Sequence, residues 1–459
     1  MDKASASKGL LLLNKARWFF NSKYYPFALF LFALISHTFS IEILGIVAVM
    51  TAACIGLLIC DDFKFLIAPF VVSNLMFSEK SVATGKYYEK PYLIAIACGV
   101  VGVLILLTIH FILYRKNIKV GDFKKSKLFW GLIIFSIAVF LNGFFNFSEY
   151  HHGNIAYASI LVFAVTGIIF LFSIGLKKDE GLIEYILYVL YLMSILVTLE
   201  LFIAFTNQID IVNGSIDKES IKIGWGMWNN IGGYLAFLLP IHFYFASTIK
   251  KWGWAFYLSG IVSFIAIALT LSRSSLLSGG LSLLFCIIVV CFFGVNKKIN
   301  RIFAICLFGV GIIGIIALWG KISTILGDYL ARGLDDNGRF EMYKHGLINF
   351  INHPIFGGGF NSAYVTDHIF NIFLPPRYHN TIIQMMGTCG ILGLGAYLFH
   401  RYQTIRLFLS SKKLSTLFVA LCIGTMLLGS MLDNHFFNIY PTFIYSFMLV
   451  GVEKSKSIQ

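Results

Sequence analysis

PPRYHNTIIQMMGTCGILGLGAYLF, Pro375 to Phe399, changes character partway along. Its first six residues hold two prolines, an arginine and a histidine, whereas Thr381 to Phe399 carry no charge at all. An uncharged run of this kind is close to the ~20 apolar residues that cross a bilayer as a helix. Outward from it, long apolar runs recur from Phe27 to Val452. The 459 residues are 58% hydrophobic and 13% charged, against about 25% charged in a soluble domain. The runs are continuous rather than alternating, and in lipid a helix satisfies its own backbone groups. The chain therefore reads as all-α, a polytopic transmembrane helical bundle forming one integral membrane domain over residues 1–459.

Fourteen spans can be drawn, at 24–40, 43–60, 63–78, 92–114, 128–147, 155–176, 182–206, 228–249, 253–272, 274–295, 302–320, 379–400, 415–432 and 436–452. The third is short and contains Pro69. With the N-terminus inside, the inside segments 1–23, 61–64, 115–127, 177–181, 250–252, 296–301, 401–414 and 453–459 hold 25 of the 36 Lys and Arg. That is the positive-inside pattern, and it predicts both termini cytoplasmic. The formal charge of +14 thus reads as topology, and nucleic acid is not an expected partner. Residues 1–23 read as a cytoplasmic segment lying in the interface, with Trp18 at headgroup level and no cleavable signal pattern. Cys54, Cys60, Cys98, Cys286, Cys291, Cys306, Cys389 and Cys422 lie in or beside apolar runs without metal-ligand spacing. Neither a disulfide, a metal nor a cofactor is expected.

Residues 321–378 form the longest polar stretch, neutral with five basic and five acidic residues, and fall outside in this topology. Within this large extracytoplasmic loop, GRFEMYKHGLINFINHPIFGGGF runs from Gly338 to Phe360. Phe340, Tyr343, Leu347, Ile348 and Ile351 recur at helical spacing and predict an amphipathic helix at the outer mouth of the bundle, with Arg339 in its first turn. Arg339 is then either a grip for an anion or a surface charge beside Asp335 and Asp336.

Arg273, in LTLSRSSLLSGG, sits in a turn between two spans. An arginine at membrane depth is expensive and usually has a task, although an interfacial arginine can also snorkel outward. His379 and Asn380 stand where the loop enters the next span. Asn380 suits a helix cap, and His379 is either structural or a proton acceptor. Asp433, in GSMLDNHFFNIYP, lies in a tight outer turn and either orients a histidine or arginine or caps the last helix. Gly357, Gly358 and Gly359 make either an anion-holding nest of N–H groups or a plain turn. All these residues fall on one predicted face. Two arginines match phosphate oxygens as bidentate forks, and a lipid-linked diphosphate is the anion found at that depth.

The ordered set NNIGGYLAFLLP (229–240), SR (272–273), GR (338–339), NHPIFGGGF (352–360), HN (379–380), GILGL (390–394) and LDNHF (432–436) resembles the O-antigen ligase and polysaccharide repeat-unit polymerase superfamily, roughly over residues 224–452. The resemblance implies an inverting, metal-independent GT-C glycosyltransferase. Its donor would be a glycan on undecaprenyl diphosphate, at the outer or periplasmic face of the bacterial cytoplasmic (inner) membrane. By position, Arg273 and Arg339 would hold the diphosphate, His379 would assist the acceptor hydroxyl, and Asp433 would support it. Asn380, Gly357, Gly358 and Gly359 would line the site. The leading expectation is a repeat-unit polymerase in O-antigen, capsule or exopolysaccharide synthesis, beside a flippase and a chain-length regulator. The alternative is a ligase acting on lipid A-core or another terminal acceptor. A transporter or flippase is disfavoured because charges concentrate at span ends and because no internal repeat is evident.

Overall fold

The computed structural model describes residues 3–76, 90–117, 123–144, 152–207, 211–212, 215–216, 220–223, 226–317, 319–320, 323, 339–360 and 378–455. The expected loop 321–378 therefore lies mostly outside the described residues. So do Gly338, Pro375 and Pro376.

The N-terminal part runs through α1 (Lys3–Asn21), α2 (Tyr24–Thr38), α3 (Glu42–Ile59), α4 (Ile67–Leu75), α5 (Lys90–Leu113), α6 (Phe129–Phe140), α7 (His152–Val162) and α8 (Ile168–Gly175). Pro69 lies in the first turn of α4, after a 3-10 turn at Phe63–Leu66, where a missing N–H costs little. A π turn at Phe163–Gly167 joins α7 to α8. α9 (Leu182–Asn207) follows, then two hairpins of two-residue strands, β1 (Ile211–Val212) with β2 (Ser215–Ile216) and β3 (Lys222–Ile223) with β4 (Gly226–Met227). The C-terminal part comprises α10 (Trp228–Thr248), α11 (Gly253–Leu269), α12 (Arg273–Phe292), α13 (Lys297–Ala317), α14 (Arg339–Asn352), α15 (Thr381–Leu409), α16 (Leu414–Gly429) and α17 (Ile439–Lys454).

Among the described residues, six helices are long and apolar enough to cross a membrane. They are Glu42–Ile59, Asn154–Gly175, Leu182–Thr206, Trp228–Thr248, Arg273–Phe292 and Thr381–Leu409. Shorter apolar helices accompany them. α10 is the central post, buried along nearly its whole length and packed by α9, α11, α12 and α16. The perimeter is apolar as well: Ile43, Ile305, Phe308 and Ile316 are all about two-thirds exposed or more. Side chains of that kind turned away from the protein fit a hydrocarbon solvent. The chain is a helical, multi-pass membrane protein.

One inside segment is more helical than expected: within 401–414, α15 continues to Leu409 and buries Arg401, and only 410–413 form the connection. Glu200 and Arg401 are both buried within helices. α14 forms where its periodicity predicts, with most of its apolar stripe turned away from the bundle. Phe340, Leu347, Ile348 and Ile351 are exposed, while Gly346 and Asn349 meet α15. Glycine permits the closer approach, so that face wins the packing.

α15 is broken at Gly390, whose φ of 66° is left-handed. The segment 354–359 splints the break. Ile391 and Leu392 N–H donate to the Pro354 and Ile355 carbonyls at 2.9 and 3.3 Å. Gly358 and Gly359 N–H donate to the Gly387 and Thr388 carbonyls, both at 3.0 Å. At the far end of the bundle, Lys64 Nζ meets Asp179 at 2.8 Å and Lys177 Nζ meets Asp61 at 2.6 Å, tying the α3–α4 turn to the α8–α9 loop.

Two outcomes follow. A Cβ at Gly390 would collide with the Ile355 carbonyl and the Gly357 nitrogen at a backbone angle that disfavours L side chains. Gly390→Ala should therefore cost about 1–3 kcal/mol, read as a lower melting temperature in detergent. Partial burial pushes the Asp179 carboxyl up, but the Lys64 hydrogen bond, the Gly181 N–H and the Lys64 charge outweigh it and hold the carboxyl below its ordinary value. A depressed folded-state pKa stabilises above the unfolded value and stops doing so as pH falls through the folded one. The melting-temperature gap between wild type and Asp179→Asn should be present at neutral pH and should close below about pH 4.

Candidate functional site

His379 is the pivot of the site. It precedes α15 and has a φ of 49°, an uncommon conformation for a residue other than glycine and one that the surroundings must enforce. On one side, Tyr378 N–H donates to Gln384 Oε1 at 2.9 Å. On the other, Asn380 caps α15: its Oδ1 accepts from Ile382 and Ile383 N–H at 2.9 and 3.2 Å. The Asn380 side chain also donates to the Met431 carbonyl at 3.0 Å, and Thr381 N–H donates to the Ser430 carbonyl at 2.9 Å. The residue is thus clamped between its own helix and the turn after α16.

That turn, Ser430 to Asn438, carries Asp433. His379 Nδ1 lies 3.0 Å from Asp433 Oδ1, with Asp433 buried and the histidine partly exposed. The Asn434 N–H also donates to Asp433 Oδ1, at 2.8 Å. A carboxylate accepting from Nδ1–H fixes the tautomer and leaves Nε2 with its lone pair, which is the arrangement of a histidine base. Gln384 links the two partners, because its Oε1 accepts from both the Tyr378 N–H and the Asn434 side chain, the latter at 2.8 Å. The turn is held from several helices. Phe436 N–H donates to Ser430 Oγ at 3.1 Å, Tyr157 OH to the Phe437 carbonyl at 2.5 Å, and Thr442 Oγ1 to the Phe436 carbonyl at 2.6 Å.

Arg339 is the first residue of α14 and is half-buried. One turn on, the Tyr343 hydroxyl lies 3.5 Å from the His379 carbonyl, so Arg339 stands within a helical turn of a residue touching His379. Arg273 opens α12 and is exposed, after a turn in which Leu271 is left-handed with φ of 54°. Contacts put both arginines at the His379 end of the bundle. Gly232 at the start of α10 packs on Thr270 and Ser275, Gly233 packs on His435, and Gly429 sits between His435 and Ser278. His379, Asp433 and Asn380 are joined directly, Arg339 stands beside them, and Arg273 lies on α12 at the same end.

The glycine run does something else. The Gly357 N–H donates to the His353 carbonyl at 3.0 Å, and those of Gly358 and Gly359 are spent on the break in α15. With all three donors committed to carbonyls, they do not form an anion nest. Gly357 and Gly359 have φ of 74° and 86°, which explains the residue type without a ligand.

Gln384, Asn434 and Tyr343 are partners that the sequence reading missed. A lone glutamine one turn after the Asn380 cap, in a run otherwise nearly free of hydrogen-bonding side chains, was the available signal for Gln384.

Residues 258–398 match the family described as O-Antigen ligase. The match takes in Arg273, Arg339, the glycine run, His379 and Asn380, and ends before Asp433. No curated protein matches the chain. This matched segment, less than half of the chain, contains His379 and both arginines, and the match supports the O-antigen ligase/polymerase superfamily.

Proposed function

We propose that this protein is a repeat-unit polymerase. It moves a glycan from undecaprenyl diphosphate to a sugar hydroxyl of a second lipid-linked unit, at the outer face of the bacterial cytoplasmic membrane. The observation that carries the reading is the His379–Asp433 pair at 3.0 Å, at the end of an apolar bundle whose 258–398 segment matches O-antigen ligase. In this scheme Asp433 keeps Nδ1 protonated, and Nε2 takes the proton from the acceptor hydroxyl as its oxygen attacks the anomeric carbon. The new C–O bond forms opposite the leaving group, so the centre inverts. The anomeric carbon–oxygen bond breaks and the electron pair leaves on undecaprenyl diphosphate. Arg273 and Arg339 neutralise the charge that accumulates there, without a metal. Each such group is worth ~10²–10³ in rate.

In the fourteen-span reading with both termini inside, this end of the bundle would face the outer side, where a flippase would present the donor. A chain-length regulator would act on the same complex. The family description itself favours a second reading, a ligase that passes finished glycan to lipid A-core or another terminal acceptor. The two share donor chemistry and differ in the acceptor. A deletion strain that accumulates single-repeat glycans fits the polymerase. One that retains long lipid-linked chains but loses surface attachment fits the ligase.

The chemistry is tested by His379→Asn, chosen because asparagine tolerates a positive φ, together with Arg273→Lys and Asp433→Asn. His379→Asn and Asp433→Asn should each lower transfer by roughly 10²-fold or more at normal protein level, read as loss of long glycan chains on a gel. Arg273→Lys keeps the charge and loses the fork, and should cost at least about 10-fold. Full-length chains in both Arg273→Ala and His379→Asn would overturn the catalytic reading and return a transporter to contention.

A further inference from the structure

Arg401 has no part in the chemistry above. It lies well inside α15, is 8% exposed, and among the described residues no nitrogen of its guanidinium has a hydrogen-bond partner. It forms no ion pair among the described residues. Three aromatic rings enclose it instead: Phe436 at 4.3 Å from the guanidinium carbon, Tyr397 at 4.6 Å and Tyr445 at 4.7 Å.

The three rings do not have equal standing. Tyr397 is one turn before Arg401 on α15. Tyr445 is on α17, and its hydroxyl is fixed by His400 Nε2 at 2.8 Å and Thr404 Oγ1 at 3.2 Å. Both belong to long helices. Phe436 belongs to the 3-10 turn His435–Phe437, three residues after Asp433. The cation therefore draws a ring of the turn onto two rings of the scaffold. Taking an unpaired charge out of water is costly, and desolvated cation–π contacts return part of that cost. If the space needed only filling, an apolar side chain of similar size would do so at lower cost. Buried ionisable groups within membrane helices usually serve function.

We propose that Arg401 is a positioning residue. By holding Phe436, it seats the Ser430–Asn438 turn so that Asp433 keeps its hydrogen bond to His379. The proposal rests on the transferase reading for its catalytic consequence, but its geometric core can be measured without any activity.

The experiment uses the full-length protein in two assays. In the first, the double variant His379→Cys/Asp433→Cys is oxidised and the 379–433 disulfide is followed by mass spectrometry, with Arg401 intact or changed to Met or Lys. The bond should form readily with Arg401 and roughly 10-fold more slowly with Met, and Lys should recover part of the rate because it keeps the cation. In the second, transfer is measured in the His379/Asp433 background. Arg401→Met should lower kcat by roughly 100-fold, the cost of misplacing a catalytic group by about an ångström. KM for the lipid-linked donor should move by less than about 3-fold, because donor contacts are untouched. Phe436→Leu should reproduce both effects, and the double variant should be no worse than the worse single one, as for two members of one contact. Should Arg401→Met fail to fold, Phe436→Leu carries both assays. Unchanged cross-linking and unchanged kcat in Arg401→Met would overturn the proposal. So would a loss that appears in KM alone, or a Lys variant as impaired as Met. A cross-link that responds to Arg401 in a protein whose wild type transfers no glycan would uphold the positioning role and sink the transferase reading.

Discussion

Hydrocarbon offers no hydrogen bonds, so irregular backbone within an apolar bundle must be satisfied by protein. The Ser430–Asn438 turn is where this constraint bears hardest. Its carbonyls at 430, 431, 436 and 437 accept from Thr381, Asn380, Thr442 and Tyr157. Its amides at 434 and 436 donate to Asp433 and Ser430. These bonds reach α7, α15 and α17, so the turn is fixed from three directions. Asp433 is therefore held in part by the need to keep backbone groups paired, and the contact of Phe436 with Arg401 adds a second hold on the same turn.

The same constraint explains the glycine-rich surface between α14 and α15. A break at Gly390 leaves carbonyls and amides of α15 without their intrahelical partners. Residues 354–359 supply replacements on both sides of the break, and the Asn349 side chain donates to the Gly387 carbonyl at 2.6 Å. Close approach of two backbones needs small residues, and Gly346, Gly357, Gly387 and Gly390 provide them. Breaking α15 in this way lets its first two turns meet α14 while its remainder runs along α6.

Much of this was legible in the sequence because it depends on local patterns. Continuous apolar runs gave most of the helices with ends within a few residues. Asn380 read as a cap and is one. The period over Phe340–Ile351 read as a helix starting near Arg339, as α14 does. The pairing of His379 with Asp433 was open to proposal from topology, but the distance depended on a turn whose shape is set by tertiary hydrogen bonds. Two features were not legible for identifiable reasons. Arg401 reads as a charge that ends a span in hydropathy, and an aromatic cage cannot be seen in one dimension. Periodicity places the α14 stripe on one face but does not say which way that face turns.

That outward stripe also bears on what surrounds the site. With Phe340 at 66% and Ile351 at 72% exposed, α14 presents apolar side chains away from the protein and polar ones along its flank. A helix of that kind rests at the boundary of headgroups and acyl chains. Its first residue is Arg339, so on the proposed transferase reading the guanidinium would stand near the depth of lipid phosphates. The bilayer would in this sense be a wall of the site, with its thickness and headgroup chemistry as parameters of the reaction rather than of mere containment.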